Sequence, residues 1–127
     1  ATPVIRQQGT FAPTTNDFRW MGSAAIDKTG GIAVGYNISS AANNIVPSIR
    51  YAYRGPLDPL GTLGNETTIL VGSGVQTANL ARWGDYSTIS VDPVDGCTMV
   101  FTSQFQPATG NFNWSTYIHS FKLSTCN

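Results

Sequence analysis

Charged residues are scarce in this chain of 127 residues. Seven Lys and Arg balance seven Asp and Glu, so the formal net charge is zero and only 11% of the residues are charged. A nucleic-acid-binding surface needs clustered basic side chains, and a polybasic membrane patch needs a run of them. The sequence has neither, so we expect no nucleic-acid partner and no electrostatic membrane anchor.

Long apolar runs are also missing. No stretch approaches the roughly 20 apolar residues of a membrane-spanning helix, so we expect no membrane insertion. No basic-then-apolar leader begins at Ala1, so an export signal is expected either to have been removed or to lie upstream. The polarity comes mainly from Ser, Thr, Asn, Gln and Gly, a mixture that favours a secreted, extracellular β-protein.

Cysteine and histidine are too few for a zinc site. The chain has two cysteines, Cys97 and Cys126, and one histidine, His119. The cysteines could be free thiols in a reducing compartment, but the terminal position of Cys126 favours a disulfide, which should stabilise the fold by roughly 3–4 kcal/mol. Asp92 and Asp95 could offer oxygens to calcium, yet their spacing is not that of an EF-hand loop. We expect no metal and no cofactor.

Short alternating or β-branched segments, separated by turns rich in Gly, Pro and Asp, predict an all-β single domain spanning 1–127. Asp27–Gly31 and Asp92–Gly96 are hairpin-turn signals. No amphipathic helix is predicted. The predicted strands are Val4–Phe11, Met21–Asp27, Ile32–Asn37, Pro47–Tyr53, Thr67–Gly72, Tyr86–Val91, Cys97–Phe105 and Asn113–Leu123.

The strands are arranged as two internal repeats, about 4–54 and 67–123. Arg19-Trp20 and Arg82-Trp83 lie 63 positions apart, and the turn residues Asp27 and Asp92 lie 65 apart. This pattern predicts two antiparallel four-stranded units resembling propeller blades, with Val4–Phe11 and Thr67–Gly72 as their first strands. A β-sandwich is the alternative. Since a propeller typically needs about four to eight blades, the expected partners are the rest of a longer parent chain or copies of the same chain.

Several motifs carry a family resemblance: Gln7–Pro13, Arg19–Ser23, Pro47–Tyr51, Asp58–Thr62, Gly72–Thr77, Arg82–Ser87, Val91–Pro93 and Phe112–Trp114. In order and spacing they resemble the C-terminal, propeller-like segment of large secreted bacterial proteins of unknown function. The resemblance implies an extracellular location and a longer parent chain, and it brings no catalytic residue. Met99-Val100-Phe101 departs from it, because such segments resemble Phe-Trp-Tyr there.

The residues around the two Arg-Trp pairs have two interpretations. They could form a carbohydrate-contacting rim, where Arg and Asp bind hydroxyls and Trp stacks on a sugar. Alternatively, a buried Arg-Asp pair and a Trp indole could tie each unit to its neighbour, which the repetition of the motif favours. The candidate ligand-binding residues are Arg19, Trp20, Arg82, Trp83, Asp85 and Trp114.

Catalysis has little support in the sequence. Glycoside cleavage would need a pair of carboxylates, and the candidate pairs are Asp85 with Asp17 and Asp92 with Asp95. The presence of Asp92 and Asp95 is explained by their position in a hairpin turn. Sialidase-like chemistry would need a tyrosine with a partner glutamate, and no partner tyrosine can be assigned to Glu66, the only glutamate. Three sequons mark candidate glycosylation at Asn37, Asn65 and Asn113.

These observations predict a non-catalytic structural or adhesive domain, either part of a larger secreted propeller or a self-assembling surface protein. The alternatives are a carbohydrate-binding module that takes glycans as partners, or the terminal part of a secreted glycoside hydrolase.

Overall fold

The computed structural model describes residues 2–64, 66–79 and 82–127, and its regular structure is all β. Seven strands follow one another along the chain: β1 Phe18–Ile26, β2 Ile32–Ser40, β3 Ile45–Arg54, β4 Glu66–Leu70, β5 Thr88–Val91, β6 Met99–Phe105 and β7 Ser115–Phe121. They form two antiparallel sheets, in the orders β1-β2-β3-β4 and β5-β6-β7. The predicted fold class is confirmed.

No helix within the described residues is long and apolar enough to cross a membrane.

Aspartate-led turns form the first hairpin of each sheet. Asp27 directly follows β1, and its Oδ1 accepts hydrogen bonds from the backbone N–H groups of Thr29 and Gly31, at 2.8 and 2.9 Å. Gly30 follows with a φ of 89°, which a residue with a β-carbon rarely adopts. The second sheet repeats the device: Asp92 accepts from the Val94 N–H at 2.8 Å, and Gly96 has a φ of 65°. Both predicted turns are confirmed.

The two sheets pack against each other and enclose one core. Its buried residues are Ala33 and Ile49 from the first sheet, together with Ile89, Met99, Phe101 and Leu123. The ring of Phe121 on β7 stacks on that of Tyr51 on β3, with centroids 4.1 Å apart. Burial of this apolar area, rather than hydrogen bonding alone, holds the two sheets together.

Polar groups also join the sheets. Asn37 on β2 is fully buried, donates through Nδ2 to the Gln104 carbonyl at 2.9 Å and accepts from Ser103 Oγ at 2.8 Å. Ser23 Oγ accepts from the Ile89 N–H at 3.1 Å. Because these buried groups satisfy one another, they fix one relative position of the sheets.

The predicted disulfide between Cys97 and Cys126 is present. Both cysteines are buried, and the bridge attaches the end of the chain to the start of β6. Nearby, the Lys28 N–H of the first hairpin donates to the Gly96 carbonyl of the second, at 2.8 Å. The disulfide, the two hairpin turns and the C-terminus therefore share one end of the molecule.

Two strand assignments made from the sequence are wrong. Residues 4–11 form no strand; they pass over the first sheet, where Phe11 contacts Tyr36 with ring centroids 6.4 Å apart. Thr67–Gly72 does contain a strand, but this strand, β4, pairs with β3 of the first sheet and does not open the second. The second sheet accordingly has three described strands. The repeat, the propeller and the sandwich remain predictions.

Candidate functional site

A cleft of about 540 Å³, called the aromatic cleft below, lies at the end of the second sheet that is opposite the disulfide. Three segments form it: the loop that enters β5, the end of β6, and the turn that enters β7. Its lining residues are Gln76, Arg82, Trp83, Gly84, Asp85, Tyr86, Ser87, Thr102, Ser103, Gln104, Phe112, Trp114 and Thr116. Four of the six predicted ligand-binding residues therefore meet here: Arg82, Trp83, Asp85 and Trp114.

Aromatic side chains around this cleft are unusually exposed. Tyr86 is 92% exposed, Phe112 65% and Trp114 57%, and each lines the cleft. Scattered exposed apolar residues are ordinary, but several around one concave surface mark a binding site. Of these three residues, the sequence indicated only Trp114. Tyr86 and Phe112 lie in loops, and no local sequence pattern shows that these loops fold towards each other.

Charged groups stand beside the aromatic ones. The Arg82 Nη2 donates to Asp85 Oδ2 at 2.7 Å, with the two side chains 75% and 39% exposed. This hydrogen bond raises the pKa of Arg82, whose guanidinium stays charged. Guanidinium and carboxylate together offer donors and acceptors at the cleft wall, since neither uses all its hydrogen-bonding capacity in the pair.

The loop that carries these groups is fixed by its own hydrogen bonds. Gln104 Oε1 on β6 accepts from the Gly84 N–H at 2.8 Å, and Ser87 Oγ donates to the Gly84 carbonyl at 3.1 Å. Gly84 has a φ of 45°, and a β-carbon there would lie 3.2 Å from that of Gln104. The cleft is thus held in place before any ligand arrives, which lowers the entropy cost of binding.

Trp20 and Trp83 meet edge to face, with ring centroids 5.7 Å apart. Trp20 does not line the aromatic cleft; it borders a shallower cavity of about 430 Å³ that shares Gln76, Arg82 and Trp83 with it. Among the described residues, the Trp83 indole N–H has no hydrogen-bond partner. The tryptophan pair connects β1 of the first sheet with the loop that enters β5 of the second sheet.

Arg19 lies away from the cleft, on the outer side of the first sheet. Its Nε and Nη2 donate to the two carboxylate oxygens of Glu66 at 2.6 and 3.0 Å. Tyr36 Oη donates to Oε1 of Glu66 at 2.6 Å, and Arg50 Nη1 donates to Oε2 at 3.1 Å. The sequence alone assigned no tyrosine to Glu66; the register of β2, β3 and β4 brings Tyr36 to it across 30 positions of sequence.

This Glu66 cluster, made of Arg19, Tyr36, Arg50 and Glu66, is a tie between strands. Burial raises the pKa of Tyr36, and its hydrogen bond to Glu66 adds to the shift, so the phenol stays protonated and donates. Burial alone would raise the pKa of Glu66, but hydrogen bonds from Arg19 and Tyr36 outweigh it and lower that pKa. A carboxylate that receives four donors is satisfied within the fold and is not poised to act as a base.

The remaining predicted sites differ in their surroundings. Asn37 is fully buried and hydrogen-bonded between the sheets, so the folded chain has no room for a glycan there, and that expectation is wrong. Asn65 lies outside the described residues, and Asn113 is exposed in the turn before β7.

In the turn after β5, Asp95 binds Thr98 and Lys122. Within 2–64, 66–79 and 82–127, no three His, Cys, Asp or Glu cluster as metal ligands.

Comparison with known proteins adds no relative: no family model matches the chain, and neither the curated proteins nor the solved structures give a match.

Proposed function

We propose that this chain is a non-catalytic, extracellular adhesive domain that binds carbohydrate in the aromatic cleft. The single observation that carries the proposal is the meeting of Trp83, Trp114, Phe112 and Tyr86 with the Arg82–Asp85 pair around one cleft. Its volume of about 540 Å³ lies within the range of roughly 300–1,000 Å³ that small-molecule sites occupy.

A sugar ring matches both kinds of surface in this cleft. One face of a pyranose presents C–H groups, which pack on an aromatic ring, while its rim carries hydroxyls that donate and accept hydrogen bonds. Trp114 offers the exposed ring, and Arg82, Asp85 and Gln104 offer the polar partners.

Separate observations support a non-catalytic role for the chain. Glycoside hydrolysis ordinarily uses two carboxyl groups that flank the scissile bond. Of the described residues that line the aromatic cleft, Asp85 alone carries a carboxylate, and it is paired with Arg82. In the Glu66 cluster, the raised pKa of Tyr36 opposes formation of the phenolate that a tyrosine nucleophile needs.

The proposed extracellular location is supported by the disulfide. Structural disulfides persist in oxidising compartments and are rare where glutathione and thioredoxin keep thiols reduced. Cys97 and Cys126 are bridged and buried, as a permanent structural bridge would be.

A glycan array tests the proposal. The chain should be presented on a multivalent support, because single sugar sites are weak and avidity reveals them. The wild-type chain is expected to bind a set of hydroxyl-rich glycans, and Trp114→Ala to lose at least tenfold in apparent affinity. Phe18→Ala is the matched control, since it removes another exposed aromatic ring at the start of β1. If no glycan binds, or if both variants bind equally well, the proposal is wrong.

A further inference from the structure

The two sheets differ at corresponding edges. In the first sheet β3 is covered by β4, which runs antiparallel to it. In the second sheet β7 follows β6 as β3 follows β2, yet in the described parts of the chain no strand pairs with the outer edge of β7. The backbone N–H and C=O groups of one side of β7 are therefore open to another strand.

The repeat predicted from the sequence places a matching segment elsewhere in the chain. β4 begins at Glu66, 16 residues before Arg82, and Pro3 lies 16 residues before Arg19. Residues Pro3–Gln7 are thus the repeat's counterpart of Glu66–Leu70. Their composition suits an outer strand, since Val4 and Ile5 are β-branched and proline is tolerated at the first position of an edge strand.

Pro3–Gln7 pairs with no strand in the described parts of the folded chain. Val4 is 87% exposed and Ile5 79%, although both are strongly apolar. The segment is held from Gln7 onward, where Gln7 Oε1 accepts from the Gly61 N–H at 3.1 Å and Gly9 lies directly against Gly61. The residues before Gln7 project beyond this anchor and keep their backbone groups available.

The edge of β7 lacks the devices that protect such edges. Proteins usually block edge strands with proline, lysine or a bulge. Ser115–Phe121 contains no proline and no lysine, and its pairing with β6 runs without a shift in register, whereas β1-β2, β2-β3 and β3-β4 each contain a shift. A regular, seven-residue unblocked edge is suited to accept a strand.

We propose that Pro3–Gln7 of one copy of this chain adds to β7 of a second copy as the fourth strand of its second sheet. Addition of an extended segment to a sheet edge gains main-chain hydrogen bonds and buries alternate side chains, here those of Val4 or Ile5. Donor and acceptor surfaces are different, so the contact is head to tail and generates a ring if it closes or a filament if it does not. This assembly is independent of carbohydrate binding.

Light scattering on the full chain tests the assembly over a wide concentration range. Wild type is expected to form species of several times 13.6 kDa, and the double variant Val4→Asp/Ile5→Asp to remain a monomer. The matched control is Leu57→Asp/Val94→Asp, which replaces two other highly exposed apolar side chains by the same charge and should assemble as wild type does.

A peptide experiment keeps the result independent of variant folding. A fluorescent peptide of residues 2–8 should bind the Val4→Asp/Ile5→Asp chain, whose β7 edge is free, and the same peptide carrying both aspartates should not. Hydrogen exchange should then show protection of amides in 115–121 on binding. Monomeric wild type at every concentration, equal dissociation by the control variant, or peptide binding that leaves 115–121 unprotected would each overturn the proposal.

Discussion

The ring of Phe101 on β6 lies directly against the α-carbon of Gly35 on β2. A β-carbon at Gly35 would fall 2.8 Å from three ring carbons of Phe101, a distance that real β-carbons do not show. Phe101 is only 1% exposed and is enclosed by the core, so the ring has no room to withdraw. This pair sets the separation of the two sheets.

Gly35→Ala is therefore expected to destabilise the fold by about 1–3 kcal/mol, through overpacking at the sheet interface. Urea denaturation measures the change in unfolding free energy. Gly22→Ala is the control, because no atom lies within 4 Å of its added β-carbon, and it should change stability little. Addition of Phe101→Leu to Gly35→Ala should cost less than the two single changes together, and strict additivity would contradict the packing argument.

Removal of the carboxylate from the Glu66 cluster should be costly. Glu66→Ala leaves Arg19 and Arg50 without their shared acceptor on a largely buried surface, and the expected loss is about 2–4 kcal/mol. Asp85→Ala breaks the exposed pair with Arg82 and should change stability much less, because solvent screens exposed ion pairs. Thermal or urea unfolding of both variants compares the stability contributed by the two ion-pair sites. Equal losses of unfolding free energy would contradict the difference in burial between them.

The lowered pKa of Glu66 also predicts how the stability of the fold depends on pH. Its folded-state pKa lies below the ordinary value of 4.5, so its contribution is fully present above pH 4.5 and is lost as pH falls below that value. Asp17 and Asp95, whose pKa values are lowered too, add to the same trend. The melting temperature should therefore drop on acidification from pH 5, and the drop should be smaller in Glu66→Gln. An equal drop in both proteins would show that Glu66 is not the group that titrates.

Reduction of the disulfide should weaken the fold without abolishing its sheets. Cys97 and Cys126 are 29 positions apart, and a loop of this size is worth roughly 3–4 kcal/mol. Urea midpoints of the wild type and of Cys97→Ala/Cys126→Ala provide the measurement. If the double variant unfolds at the wild-type midpoint, the bridge constrains the unfolded chain less than its loop length implies.

Local patterns were sufficient to predict the hairpins. Asp27 and Asp92 each introduce a turn whose glycine takes a positive φ, and such turns depend on neighbouring residues only. The all-β class and the two hairpin turns follow from signals of this kind, the disulfide follows from the count and placement of the two cysteines, and the structure confirms all three.

Pairing across long distances was not predictable in the same way. The sequence of β4 indicates a strand but not which sheet edge it joins, and its pairing with β3 is decided by packing of the whole molecule. The Glu66 cluster depends on that pairing, because Tyr36 lies 30 positions from Glu66 and Arg19 lies 47. The same holds for Tyr86 and Phe112 in the aromatic cleft, which loops bring together.

The disulfide also determines what a proteolytic cut in one turn would release. The turn that carries Phe112 and Trp114 lies between β6 and β7, and therefore between the two bridged cysteines in sequence. A single cut in this turn leaves the pieces covalently joined, so they migrate as one band on a non-reducing gel and as two after reduction. One broken peptide bond in this turn therefore releases no fragment until the disulfide is reduced.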